Sequence, residues 1–455
     1  MFFSIVILFI LIVLRFILAA FLPLSPDEAY YWLWSKSLQT SYFDHPFMVA
    51  LWIRLGTILW GDSPFGIRFF GPLSAVLGTI ILSMTARQLY GTANRQPVYA
   101  ALLLNGTIMF GFGMIIMTPD TPLLFFTILT LWAFVKALRM HTAKAACFWW
   151  ALTGLCAGLA FDSKYTACFL VVGMGLYILI RERRLLQQGA VWFGAAITLL
   201  TTSPVVLWNA HHHWAGLLKQ GARMGDWHPE RALTFIAELA GGQIGLATPL
   251  VALVCFCGFL KARREKPVLF WLILPGVAVL LFHACGGRVQ ANWPAVLYPA
   301  FMLAGALVSW GRNWAVGTAW FCMLVLAVQG LYAPLPLGAH WDPVARQTRG
   351  WAALTDHLIH EAKAEHCQAL FVPDYALASI LAYHDREKFP IISPDQRWSY
   401  LRGHNRIHGA KALIVSEKRS EIQQGEKIAD RYFSQRIVRS YHLEETVSGE
   451  GYRVQ

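Results

Sequence analysis

Residues 2–22 read FFSIVILFILIVLRFILAAFL, and the length of this apolar run decides the fold class. A hydrocarbon core about 30 Å thick is crossed by a helix of about 20 residues. Runs of the same kind recur at 65–85, 97–117, 121–138, 189–208, 235–260, 268–282, 294–310 and 314–332. Two shorter ones, 147–161 and 165–180, flank a polar break. By length, about eleven membrane spans are expected. Composition agrees: 56% of the 455 residues are hydrophobic and 14% charged, with a mean hydropathy of +0.47, whereas a soluble domain is about 25% charged. A water-soluble core cannot hide that much apolar surface. The first run lacks a basic leading segment and a small-residue cleavage site, so it reads as a retained helix rather than a signal peptide. Arg15 lies inside it and must snorkel or find a partner.

Lys and Arg gather in the cytoplasmic loops of membrane proteins. Here one alternating set of loops holds Arg87 and Arg95, then Lys136, Arg139 and Lys144, then Arg181, Arg183 and Arg184, then Lys261, Arg263, Arg264 and Lys266, and finally Arg312. The opposite set holds Asp27, Glu28, Asp44, Asp62, Asp120, Asp162, Asp226 and Glu230. This asymmetry predicts the N-terminus inside and the C-terminus outside. It also accounts for the net charge of +12 without invoking nucleic acid.

After Tyr332 the character changes. Pro334 and Pro336 mark a linker, and 334–455 reads as a small α/β domain outside the membrane, following a membrane domain of residues 1–333. Segments 369–372 and 412–415 read as buried strands, 375–383 as a helix, and 436–441 and 451–454 as edge strands. Of the eight Cys only Cys367 falls in this domain, which argues against a disulfide framework.

The first outside loop, 23–64, begins Ser25-Pro26-Asp27-Glu28. Ser25 caps a helix whose first turn holds both acids, a placement the helix dipole favours in any protein. The following Tyr30, Tyr31, Trp32 and Trp34 suit a helix lying along the membrane surface. Asp44-His45-Pro46 adds a second acid, with a His able to act as acid/base, metal ligand, phosphate contact or simple surface group. Asp120, between Pro119 and Thr121, is a common turn initiator. Each acid has an ordinary explanation, yet three connections put carboxylates at one membrane face, where a polar substrate meets a lipid head.

Six segments carry a resemblance: Pro26-Asp27-Glu28-Ala29-Tyr30, Phe43-Asp44-His45-Pro46, Met117-Thr118-Pro119-Asp120-Thr121-Pro122, Ser163-Lys164-Tyr165, Ser203 to Asn209, and Ala291-Asn292-Trp293-Pro294. In this order the chain resembles the protein mannosyltransferase-like glycosyltransferases of GT-C fold, with particular likeness to bacterial lipid A aminoarabinose and galacturonic acid transferases. The resemblance implies a polytopic α-helical membrane enzyme, a polyprenyl phosphate sugar as donor, and a lipid, glycan or protein acceptor. It also implies that Asp27 is the catalytic carboxylate. An acceptor hydroxyl attacks the anomeric carbon, the carboxylate takes its proton, and the lipid phosphate leaves. Phosphate needs no proton from a second acid, so one base suffices for inversion.

The departing phosphate needs positive charge, for which Lys164, Arg288 and His45 are the candidates. Lys164 is equally able to snorkel or to pair with Asp162. Glu28, Asp44, Asp120 and Asn292 complete the expected substrate contacts. The related aminoarabinose transferases hold zinc near the active site, which makes Asp44, His211 and His213 a candidate divalent-metal set here. Three consecutive His cannot all face one point, however, and a solvated or substrate-contacting loop is the competing reading. A transporter for lipid-linked sugar is the alternative function, although transporters keep their binding groups near the bilayer midplane. An inert membrane scaffold would leave the carboxylates unexplained.

Overall fold

The computed structural model describes residues 2–91, 95–222, 227–332, 334–335, 342, 347, 350–401, 409–416, 433–443 and 452–454. Two compact units divide the chain. One comprises Met1–Ala19, Thr40–Trp52 and Arg68–Leu326, the other Ala20–Gln39, Ile53–Ile67 and Ala327–Gln455.

All eleven apolar runs are helical, but they are not all unbroken. Six helices are long and apolar enough to cross a membrane, or up to eight if each bent helix pair counts as one span, among the described residues. The six are Pro64–Tyr90, Asp120–Ala137, Ala143–Phe161, Gly189–His211, Pro267–Ala284 and Arg312–Tyr332. Three other runs break for local reasons. The run 235–260 bends by 106° between Pro229–Ala247 and Pro249–Glu265. There Thr248 takes a left-handed φ of 70° and Pro249 starts the next helix. The run 294–310 is a 3₁₀ turn, Trp293–Leu297, followed by the eight-residue helix Tyr298–Gly305. The run 97–117 leaves the α-helix after Gln96–Gly106 and widens into a π-turn, Ile108–Phe112, capped by the Thr107 hydroxyl at 3.1 Å from the Phe110 amide.

That π-turn explains Arg15. Its guanidinium is buried and donates to the Gly111 carbonyl at 2.9 Å, the Phe110 carbonyl at 3.3 Å and Asn105 Oδ1 at 2.8 Å. Asn105 is itself held by Thr79 Oγ1 at 2.9 Å and the Ala101 carbonyl at 2.8 Å. Arg15 therefore finds partners instead of snorkelling. Elsewhere the helices Ala143–Phe161 and Gly189–His211 approach so closely that a Cβ on Gly154 would lie 2.0 Å from the Gly194 carbonyl oxygen, a fit that only small residues allow.

The second unit carries the five-stranded sheet, in the order β2-β1-β3-β4-β5. Its strands are β1 (Ala369–Phe371), β2 (Ile391–Ile392), β3 (Gly409–Ser416), β4 (Phe433–Leu443) and β5 (Tyr452–Val454). Pairing is parallel except between β4 and β5, with Leu370 opposite Ile391 and Leu413 opposite Ile437. The strands expected at 369–372 and 412–415 are present and buried. β4 corrects the edge assignment of 436–441: β3 and β5 flank it, and the edges of the sheet are β2 and β5. The helix Tyr375–Asp385 follows β1, and the helix Pro26–Lys36 of this same unit packs on it.

Candidate active site

In the sheet-bearing unit, the helix Pro26–Lys36 starts with a closed capping box. Ser25 Oγ accepts the Glu28 amide at 3.4 Å, while Glu28 Oε2 accepts from the Ser25 amide and hydroxyl, each at 3.1 Å. Glu28 is fully buried in this role, and Asp27 is the exposed acid of the same turn. Proline at the first helical position and two acids in the first turn are what this start requires.

The other unit gathers the remaining motif segments. Asp120 heads the helix Asp120–Ala137, and Thr121 Oγ1 ties that start to the Ile116 carbonyl at 2.8 Å. Lys164 enters from the break after Ala143–Phe161, where its extended backbone (φ −158°, ψ 136°) takes it off the helix axis. Its Nζ lies 2.8 and 2.9 Å from the two Asp120 oxygens, and Asn292 Nδ2 donates to Asp120 Oδ2 at 2.7 Å. Lys164 and Asp120 are both buried. Lys164 thus neither snorkels nor pairs with Asp162. Asp162 is also buried, its Oδ1 has no hydrogen-bond partner among the described residues, and burial pushes its carboxyl up to about 7.

Tyr165 extends the cluster. Its hydroxyl lies 3.5 Å from Ser41 Oγ and accepts from Asn209 Nδ2 at 3.2 Å, and Asn209 Oδ1 accepts the Leu217 amide at 3.0 Å. Segment 41–46 folds on itself through Tyr42 N to the His45 carbonyl at 3.1 Å, and Gln220 Nε2 holds the Asp44 carbonyl at 2.7 Å. Asp44 is buried and His45 half-buried. Segments separated by up to 176 residues in sequence are therefore tied together here, with the adjacent Lys164 and Tyr165 linking the Asp120–Asn292 group to the Ser41–Asn209 group in one polar node. Two residues after Asn292, Pro294 joins Leu239, Gln243, Phe256, Val277 and Tyr298 around an apolar cavity of 530 Å³.

Arg288 stands apart from the node, exposed and paired with Glu238 at 2.9 Å. The metal expectation needs correction. Among the described residues no group of three His, Cys, Asp or Glu could hold an ion, so Asp44, His211 and His213 do not form a site. His212 turns back to stack on Trp208 at 4.0 Å and donates Nδ1–H to its carbonyl, while His211 and His213 are exposed. Consecutive residues at a helix end diverge around its axis. Asp226, of the same loop, lies outside the described residues.

In the sequence Asp62 stands out only as an outside acid. In the sheet-bearing unit it accepts the Trp32 indole at 2.9 Å and Lys36 Nζ at 2.6 Å. Burial acts to raise its pKa, but the bonds from Lys36 and Trp32 outweigh burial and hold the carboxylate below its usual range. Lys36 and Trp32 are four residues apart, the one signal that they share a helix face.

The fold is of the GT-C type. The crystal structure of ArnT from Cupriavidus metallidurans in the apo state matches with a TM-score of 0.60 over 96% of this chain and 92% of that chain, at 16% identity. The same protein bound to undecaprenyl phosphate matches with a TM-score of 0.58.

Within that class the likeness narrows to particular relatives. The profile of the dolichyl-phosphate-mannose-protein mannosyltransferase family matches residues 44–208. A lipid A galacturonosyltransferase of Rhizobium johnstonii is 27% identical over 293 residues, covering 60% of this chain and 58% of that protein. An undecaprenyl phosphate-alpha-4-amino-4-deoxy-L-arabinose arabinosyl transferase of Pseudomonas aeruginosa is 28% identical over 336 residues, covering 65% and 58%. The chain thus spans 58% of the length of these curated relatives. The likeness to lipid A sugar transferases read from the six segments agrees with these matches.

Proposed function

We propose that this chain is an inverting glycosyltransferase of a bacterial cytoplasmic membrane, moving a sugar from a polyprenyl phosphate to a lipid A-like or other glycan acceptor on the periplasmic face. The observation that carries this reading is the meeting of Ser41, Asp120, Lys164, Tyr165, Asn209 and Asn292. Five of these six residues come from four of the ordered segments, and Ser41 lies two residues before a fifth. The relatives' names supply the donor and acceptor chemistry. About eleven spans, an inside N-terminus, an outside C-terminus and a boundary near residue 333 complete the arrangement.

In this mechanism Asp27 takes the proton of the acceptor hydroxyl as that oxygen attacks the anomeric carbon, and the phosphate leaves with the bonding pair. Lys164 supplies the positive charge, oriented by Asp120, which Asn292 fixes in turn. Asp44 and His45 border the sugar, and Glu28 holds the turn that presents Asp27. Arg288 meets phosphate only after releasing Glu238. The apolar cavity beside Asn292 accepts part of an isoprenoid or acyl chain.

The test is transfer of radiolabelled sugar from a panel of polyprenyl phosphate donors into the lipid and glycan fractions of membranes containing the wild type or Asp27→Asn. Transfer by the wild type alone, at equal protein levels, supports the reading. Equal transfer by both removes Asp27 as the base, and no transfer with any donor favours translocation of the carrier-linked sugar.

A further inference from the structure

The helix Pro26–Lys36 has eleven residues, and a helix this short is marginal by itself, so its direction comes from what it packs on. Its capping box fixes only the first turn. The remainder is held by a chain of contacts inside the sheet-bearing unit. Trp32, almost fully buried, donates its indole N–H to Asp62 Oδ1 and meets the Tyr383 ring edge-on, with centroids 5.2 Å apart at 89°. Lys36 binds Asp62 Oδ2 and lies over the Trp32 ring at 4.6 Å. Arg386 closes the ring of contacts, donating to the Asp62 carbonyl at 2.6 Å and lying over Tyr383 at 4.7 Å. Two residues before Trp32, Tyr30 packs edge-on against Tyr375 at 5.0 Å, and Arg397 covers the Tyr375 ring at 4.2 Å. Tyr375 and Tyr383 sit at opposite ends of one helix, which leaves β1 through the Asp374 cap, 2.7 Å from the Leu377 amide. The sheet therefore fixes one helix, and that helix grips the other at two points.

From this we infer that the α/β sheet domain is the mount of the Asp27 helix, with Trp32, Asp62 and Tyr383 as positioning residues for the transfer reaction. The inference rests on the proposed role of Asp27 as base. A carboxylate exposed at a helix start is aimed by the helix axis, and misplacing a reacting group by about 1 Å can cost about 100-fold in rate. The face of Tyr375–Asp385 that carries Tyr375 and Tyr383 is occupied by the Asp27 helix, which turns those side chains to support.

The experiment compares wild type, Asp62→Ala, Tyr383→Ala, Tyr383→Phe and Asp27→Asn in detergent, following initial rates and amide exchange in residues 26–36. Expected for both alanine variants is a kcat about 10- to 100-fold lower, KM for donor and acceptor within about twofold, and faster exchange confined to 26–36. Tyr383→Phe, which keeps the ring edge, restores the rate to within about twofold. A raised KM at unchanged kcat overturns the inference and makes the domain a recognition element; so does unchanged exchange in 26–36. If Asp27→Asn retains wild-type kcat, the base reading fails, and the mount is then judged on exchange alone, where faster exchange upholds it and unchanged exchange ends it.

Discussion

Lys164 and Asp120 face each other almost out of reach of water, and a buried ion pair is held together as much by the cost of separating it as by its attraction. Lys164→Met leaves the Asp120 charge with only Asn292, so a loss of about 3–5 kcal/mol is expected in detergent unfolding. Adding Asp120→Leu removes the stranded charge and recovers most of that stability without recovering sugar transfer, a combination that a purely structural pair would not give. Asp162 behaves differently. Its carboxyl is raised from 3.8 to about 7 by burial, so the folded state retains a proton that the unfolded chain has released. Its stabilising effect is complete below about pH 4 and is lost as pH rises to about 7. Thermal midpoints of wild type should fall across this window, and Asp162→Asn should flatten that part of the profile; an unchanged slope refutes the assignment. Only part of this was legible in the sequence. The chain suggested the i, i+2 neighbour Asp162 as partner of Lys164, because a partner 44 residues away in sequence is invisible without the packing of two helices.

At the scale of elements, apolar run length was the strongest signal, and it located each of the six long apolar helices. It failed where backbone geometry changes without a change in polarity. Thr248-Pro249 bends a run that averages as one span, and the π-turn at Ile108–Phe112 carries no polar marker at all. The visible trace of that turn was Arg15, an apparent fault in the first run. Its fork matches carbonyls that a regular helix would have satisfied internally. Arg15→Lys keeps the charge but cannot reproduce the Nε and Nη pattern, so it should be nearly as damaging as Arg15→Met. Heating each variant in detergent and following the monodisperse fraction checks this; full rescue by Lys would show that charge alone matters.

At the scale of the whole molecule, the sequence divided the chain by composition, into an apolar part and a polar part. The packing divides it otherwise: Ala20–Gln39 and Ile53–Ile67 cluster with the residues after Ala327. Composition cannot reveal this, because Trp32 and Tyr30 suit a membrane interface as well as they suit the helix after β1. The order of strands was similarly hidden, since β4 carries as many polar residues as an edge strand yet is paired on both sides.

The contact between Asp62 and Arg386 joins residues 324 positions apart. A ribosome working at about 5–20 residues per second needs roughly a quarter of a minute to a minute to cover that interval. Throughout it, the helix bearing Asp27 has left the ribosome while the partner that seats it does not yet exist. The seating of this helix would thus come late in biosynthesis, and under the proposed role of Asp27 a prematurely terminated chain would lack a placed base.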